Sequence, residues 1–195
     1  MVNMAQKRNI NREMEIILAL LRQSTHVRDL SKQTGIPHAT TSRMLEKLGA
    51  RNIVDFEARG KNKVVNLKKN IEALNTVKMA ESYKLEKLIR KYPETAAIIE
   101  EVLEKMKQLK KTGKIILIFG SYAKFNARPD SDIDLFVDTE DRNIKRELER
   151  ISSKMSVKTG RLSSGAGKPL AKEIIRNHVI ISGIEAFYEK NQIFD

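Results

Sequence analysis

Two carboxylates one residue apart, Asp132 and Asp134, follow the pair Gly120-Ser121 after ten residues. Side chains alternate along a strand, so a strand through Asp132-Ile133-Asp134-Leu135-Phe136-Val137 sends both acids to one face and Ile133 and Leu135 to the other. Like charges side by side at a strand start repel each other. A divalent cation removes that conflict: Mg²⁺ takes oxygen ligands and is usually held by one or two carboxylates together with substrate phosphates. The apolar run Ile115–Phe119 has the length of a strand and ends at Gly120. A glycine there lets the backbone approach a phosphate closely, and the Ser121 hydroxyl and nearby N–H groups can donate to it. The chemistry these residues suit is the binding of a phosphate-bearing ligand through a metal ion.

The full stretch reads Gly120-Ser121-Tyr122-Ala123-Lys124-Phe125-Asn126-Ala127-Arg128-Pro129-Asp130-Ser131-Asp132-Ile133-Asp134. It resembles the DNA polymerase β-type nucleotidyltransferase superfamily, and in particular its minimal branch, whose signature is Gly-Ser, ten residues, Asp-x-Asp. The ending Leu170-Ala-Lys-Glu-Ile-Ile, followed by Val179-Ile-Ile-Ser-Gly183, is similar as well, so the resemblance spans about 95–188. It implies transfer of a nucleoside monophosphate from ATP or another nucleoside triphosphate to a protein or small-molecule hydroxyl, with release of pyrophosphate. Asp132 and Asp134 would be the catalytic, metal-holding pair, with Mg²⁺ or Mn²⁺ as cofactor. Gly120 and Ser121 would seat the β- and γ-phosphates, and Lys124 and Arg128 would neutralise developing charge. Some members of the minimal branch modify a partner protein of the HEPN type, which makes such a protein a candidate partner here.

The chain departs from the family pattern in two places. A third acid, usual on a later strand, is expected within Met155–Arg161, and that stretch has none. Asp138 shares Asp134's face but lies four strand residues on, about 13 Å away. The usual Arg-Gly after Gly-Ser-x-Ala is replaced by Lys124-Phe125, and Phe is a poor fit wherever φ must be positive. An alternative therefore stands beside the enzyme: a transcriptional regulator whose nucleotidyltransferase fold is catalytically idle and senses nucleotide. The Gly- and Ser-rich stretch Ser163–Pro169 does not have Walker spacing and reads as a surface loop.

The chain has 195 residues, no cysteine and a net charge of +12. Disulfides and thiolate metal sites are excluded. No apolar run approaches the length of a membrane span and no signal peptide is visible, so a cytoplasmic protein is expected, with no membrane partner. Residues 1–70 carry +8 of the net charge. Such asymmetry points to nucleic acid.

The elements that must position these residues make an α+β protein with three parts. Residues 8–69 show a helix over Arg12–Gln23 with Met14, Ile17, Leu18 and Leu21 inward, and a second capped by Thr25 with Val27 and Leu30 inward. The second stops at Thr34-Gly35, and a third starts at Ile36-Pro37 with Thr41, Leu45 and Leu48 inward. Two strands, Ile53–Glu57 and Lys63–Leu67, follow around the basic turn Ala58–Asn62. This resembles a winged helix-turn-helix domain, which implies double-stranded DNA as partner. Its recognition helix would offer His38, Thr40, Ser42, Arg43 and Lys47, and its wing Arg59, Lys61 and Lys63. Residues 70–92 predict a linker helix capped by Asn70, with Ile71, Leu74, Val77, Leu85, Leu88 and Ile89 on one face, usable as a homodimer seam. Residues 93–195 predict the mixed-sheet nucleotidyltransferase domain. It opens with a helix over Glu94–Lys111 whose apolar side is Ala97, Ile98, Val102, Leu103, Met106 and Leu109.

Overall fold

The structure is a computed structural model that describes residues 4–59, 62–111, 113–162 and 169–191. Contacts divide the described residues into two compact units, meeting between Tyr83 and Lys84.

The first unit runs α1 (Met4–Arg22), β1 (Thr25–His26), α2 (Val27–Thr34), α3 (His38–Ala50), β2 (Val54–Arg59) and β3 (Asn62–Leu67). Its three strands form an antiparallel sheet in the order β1-β3-β2. The two-residue β1 is the element that periodicity does not reveal. Thr25 pairs with Val65 instead of capping α2, and His26 occupies the cap position without a side-chain bond. The turn between α2 and α3 is set locally. Gly35 ends α2 at φ +67, where a left-handed backbone favours glycine. Ser31 Oγ donates to the Ile36 carbonyl at 2.7 Å, and Pro37 leads into α3. Thr41, Leu45 and Leu48 are the buried side of α3, as their spacing predicts. On α1 the buried side is Met14, Ile16, Ile17, Ala19 and Leu20, with Leu18 and Leu21 only half-buried, so the packed stripe is rotated from the predicted one.

Helix α4 spans Ile71–Lys91. Asn70 caps it, its Oδ1 accepting from the Ala73 N–H at 2.9 Å. Val77 and Leu88 are buried as expected, but Ile71, expected inward, is 61% exposed, and Ala73, Thr76 and Ala80 join the buried side.

The second unit continues with α5 (Glu94–Gln108), β4 (Ile116–Phe119), the single turn α6 (Gly120–Ala123), β5 (Ile133–Asp138), α7 (Arg142–Glu149), β6 (Met155–Gly160), α8 (Pro169–Arg176), β7 (Val179–Ser182) and α9 (Ile184–Lys190). The sheet order is β6-β5-β4-β7. β4 is antiparallel to both its neighbours, and β5 and β6 run parallel. One face of this mixed sheet, carrying Ile116, Ile118, Ile133, Leu135, Val157 and Val179, packs on Ile99, Val102 and Met106 of α5 and on Ile144 and Leu148 of α7. The α5 stripe is thus Thr95, Ile99, Val102 and Met106, while the expected Ala97 and Leu103 face solvent. Leu88 of α4 joins the same core. β6 is an outer strand, and the Glu149 Oε1 of α7 accepts from its Val157 N–H at 3.2 Å. Ser163–Lys168 lie outside the described residues.

Candidate active site

The opposite face of the second sheet holds the predicted acids. Phe119 pairs with Asp134 across the antiparallel β4–β5 ladder, and paired residues share a face. The last residue of β4 therefore stands beside Asp134, and Gly120 follows it at once. Gly120 adopts φ +70, a conformation that costs a non-glycine residue about 1–2 kcal/mol. A Cβ at Gly120 would run into the Asp134 carboxylate, with its Cγ only 3.2 Å away. The glycine is thus a cradle in which this carboxylate lies against the backbone of the Gly-Ser turn. Ser121, half-buried, is in the first turn of α6.

Asp132 sits one residue before β5 and is exposed, whereas Asp134 is half-buried. Burial pushes the Asp134 carboxyl above its ordinary range, and the neighbouring Asp132 charge pushes the same way. Lys158 pulls it back, Glu173 adds to the rise, and Lys124 pulls weakly downward. The loop between the motif halves is held by its own turn. Arg128 N–H donates to Ser131 Oγ at 2.9 Å, Ser131 N–H returns to the Arg128 carbonyl at 3.0 Å, and Lys154 Nζ reaches the Pro129 carbonyl at 3.1 Å. The Arg128 side chain is exposed.

Phe125 takes φ +58, so the position where the family pattern has glycine does need a left-handed backbone, and a phenylalanine occupies it. The surroundings offset that strain. The Phe125 ring packs against the sheet core, Lys91 donates to its carbonyl, and the Lys87 ammonium lies 5.4 Å from the ring centroid.

Two residues missed in the sequence enter the site from later elements. Glu173 on α8 forms an ion pair of 2.5 Å with Lys124. Lys124, expected to meet phosphate, is therefore engaged by a carboxylate. Lys158 lies on β6, where Asp134 pairs with Ser156 and Phe136 with Lys158, so alternation brings Ser156 and Lys158 to Asp134's face. No local signal in 155–161 could have placed a lysine beside an acid some 24 residues earlier; only the parallel pairing does. Asp138 is a structural acid at the far end of β5. Its Oδ1 accepts from the Leu162 N–H at 3.1 Å and its Oδ2 from the Lys190 ammonium.

Residues 98–185 match the family model described as Polymerase beta, Nucleotidyltransferase. This segment is similar to the nucleotidyltransferase domains of that family, and Gly120, Asp132 and Asp134 all fall inside it. No curated protein and no solved structure matches the chain. Among the described residues, no group of three or more His, Cys, Asp or Glu is gathered to hold a metal ion. The donor set of the nucleotidyltransferase segment still suits Mg²⁺ or Mn²⁺. It offers two oxygen-donor carboxylates beside a glycine cradle, and Mg²⁺ commonly needs no more from the protein when phosphates complete its shell.

In the first unit, His38, Arg43 and Lys47 lie on α3 with Thr40 and Ser42 between them; His38, Arg43 and Lys47 are exposed, and Thr40 and Ser42 are half-buried. Lys63 is exposed on β3. Arg59 ends β2, but its side chain, like the whole of Lys61, lies outside the described residues. Among the described residues, no helix is long and apolar enough to cross a membrane.

Proposed function

We propose that the second unit transfers a nucleoside monophosphate from ATP or another nucleoside triphosphate to a protein or small-molecule hydroxyl. The observation that carries this reading is the Gly120 cradle beneath Asp134 with Asp132 alongside, in a segment similar to nucleotidyltransferases. The acceptor oxygen bonds to the α-phosphorus, the α–β anhydride bond breaks, and its electron pair leaves with pyrophosphate, while the hydroxyl proton passes to water. Asp132 and Asp134 hold Mg²⁺ or Mn²⁺, which when bound neutralises and polarises the phosphates. Gly120 and Ser121 present N–H and hydroxyl donors to the β- and γ-phosphates. Arg128, free to swing from its exposed turn, adds positive charge.

The first unit reads double-stranded DNA as a winged helix-turn-helix. Its support is the order α1-β1-α2-α3-β2-β3, the short Gly-containing turn between α2 and α3, and the polar, basic outer side of α3. Arg43 and Lys47 contact base edges or phosphates, with His38, Thr40 and Ser42 beside them, and Arg59, Lys61 and Lys63 hold the backbone. The protein is then an enzyme whose DNA-binding part brings it to a promoter or controls its own expression, with a HEPN-type protein as one candidate acceptor. Two observations favour a second reading, an idle nucleotide sensor that regulates transcription: Lys124 is tied to Glu173, and no third acid joins the pair among the described residues.

The experiment is incubation with α-labelled ATP, Mg²⁺ and candidate acceptors. Label transfer with pyrophosphate release, abolished by Asp132→Ala, supports the enzyme. Saturable nucleotide binding without pyrophosphate release supports the sensor, and no binding at all sinks both.

A further inference from the structure

Strand order places the parts of the site on two sides of Asp134. Gly120 and Ser121 follow β4 on one side, and Ser156 and Lys158 lie on β6 on the other. Of the two lysines whose charges act on Asp134, Lys124 is committed to Glu173. Lys158 is exposed and forms no ion pair among the described residues. Arg142, Lys145, Arg146 and Glu149 of α7, the helix on the sheet's other face, line with Lys158 an open groove of about 600 Å³ along the β6 edge. Transfer between phosphate oxygens is commonly served by two divalent cations about 3.5–4 Å apart, one for the attacking oxygen and one for the leaving group. This face has two carboxylates for one such ion. Where a second would need a further acid on the β6 side, the chain has an ammonium.

We propose that Lys158 is a tethered cation that substitutes for the second divalent ion, so that the site takes a single metal with its nucleotide. This rests on the nucleotidyl-transfer reading above. The ammonium offsets charge on the carboxylate pair and donates to the phosphate oxygens from the β6 side, opposite Gly120 and Ser121. A second Mg²⁺ or Mn²⁺ would meet its like charge, and the one further carboxylate near Asp134, Glu173, is engaged by Lys124. Lysine acts here as a point charge on a flexible stem, which suits a role that needs charge without fixed ligand geometry.

The test uses the full chain with Mn²⁺ and tripolyphosphate, the part common to every nucleoside triphosphate. Bound Mn²⁺ is counted by electron paramagnetic resonance and tripolyphosphate affinity by calorimetry. The wild type should bind one Mn²⁺ per chain. Lys158→Met should keep that one ion and weaken tripolyphosphate about tenfold, the loss of one charge-assisted contact. Lys158→Asp, which exchanges the ammonium for an oxygen ligand, should bind two. Circular dichroism confirms that each variant is folded, and Lys158→Gln serves if Lys158→Met is not. Two ions on the wild type would overturn the role of Lys158 and leave the transfer reading standing. That role is overturned equally if Lys158→Asp holds one ion, or if the neutral variants bind tripolyphosphate as the wild type does. No Mn²⁺ on the wild type, or Mn²⁺ binding that survives Asp132→Ala, would instead remove the transfer reading itself.

Discussion

The two sheets of this protein carry charge in opposite ways. In the first unit, the cations of α3 and β3 stand toward solvent on regular elements, and the buried side of α3 (Thr41, Leu45, Leu48) serves only to hold that display steady. In the second, the key charges are crowded. Asp134 is half-buried beside Asp132, against a backbone that only glycine can supply without strain. A surface that meets a long polyanion needs reach and hydration, and many weak contacts sum there. A site that changes bonds needs desolvation and like charges held close, which cost stability locally. The contrast shows why the charge asymmetry along the chain points to the first unit while the proposed chemistry sits in the second.

Asp134→Asn should have the largest effect. Transfer activity should fall by about 10³-fold, measured as pyrophosphate release. Stability should move the other way. Burial raises the Asp134 carboxyl above its unfolded value, so in the window between the two the folded state binds more protons than the unfolded one. Stability therefore falls as pH rises through that window, and the ionised acid is a net cost above it. The Asn variant should melt higher than the wild type at neutral pH and lose that advantage in acid. A variant that lost activity and melted lower would show that Asp134 is a structural acid like Asp138.

Gly120→Ala comes next. Its Cβ displaces the Asp134 carboxylate, and its φ of +70 is strained. Activity should drop by about a hundredfold, as expected for a misplacement on the order of an ångström. The loss of stability should be about 1–2 kcal/mol by denaturant titration. DNA affinity should be unchanged, which separates the two units.

Arg43→Ala should do the reverse. Duplex binding should weaken by about 1–3 kcal/mol in a gel shift, and the dependence on salt should flatten by about one if the contact is to phosphate. Transfer activity should stay as it is. Duplex affinity that ignored both salt and this substitution would end the DNA reading. The smallest effect belongs to Asn70→Ala, which removes the cap on α4 and the bond from Asn70 Nδ2 to the Asn52 carbonyl at 2.8 Å. A loss of about 1 kcal/mol in thermal stability, with activity intact, is expected.

Much of this was legible in the chain because it is local. The α3 face follows from one helix bounded by Ile36-Pro37, and the Gly35 stop and the Asn70 cap are single-residue signals with one meaning. The positive φ at position 125 could be anticipated from the glycine that the family pattern has there. What escaped is what distant pairing decides. β1 has two residues, too few to show alternation, and exists because Val64 and Val65 come alongside. Ile71 and Val77 read as one apolar stripe, but which residues pack depends on the surface the helix meets, and Val77 is covered together with Ala73 while Ile71 is not. Lys158 and Glu173 join Asp134 through strand pairing and through helix α8, and spacing reveals neither approach. The Lys124–Glu173 pair shows the same limit: a lysine in a motif looks available until an acid from elsewhere takes it.

The bond from Glu149 to the Val157 amide has a consequence for how molecules of this protein treat one another. An outer strand with idle backbone donors can recruit a stranger's chain and seed fibres. Here a carboxylate from the adjoining helix occupies one of those donors, and Lys154 and Lys158 place like charges in the path of an identical copy. The rim that would admit small anions thereby discourages self-stacking, and the protein can stay dispersed at concentrations where a bare rim would not.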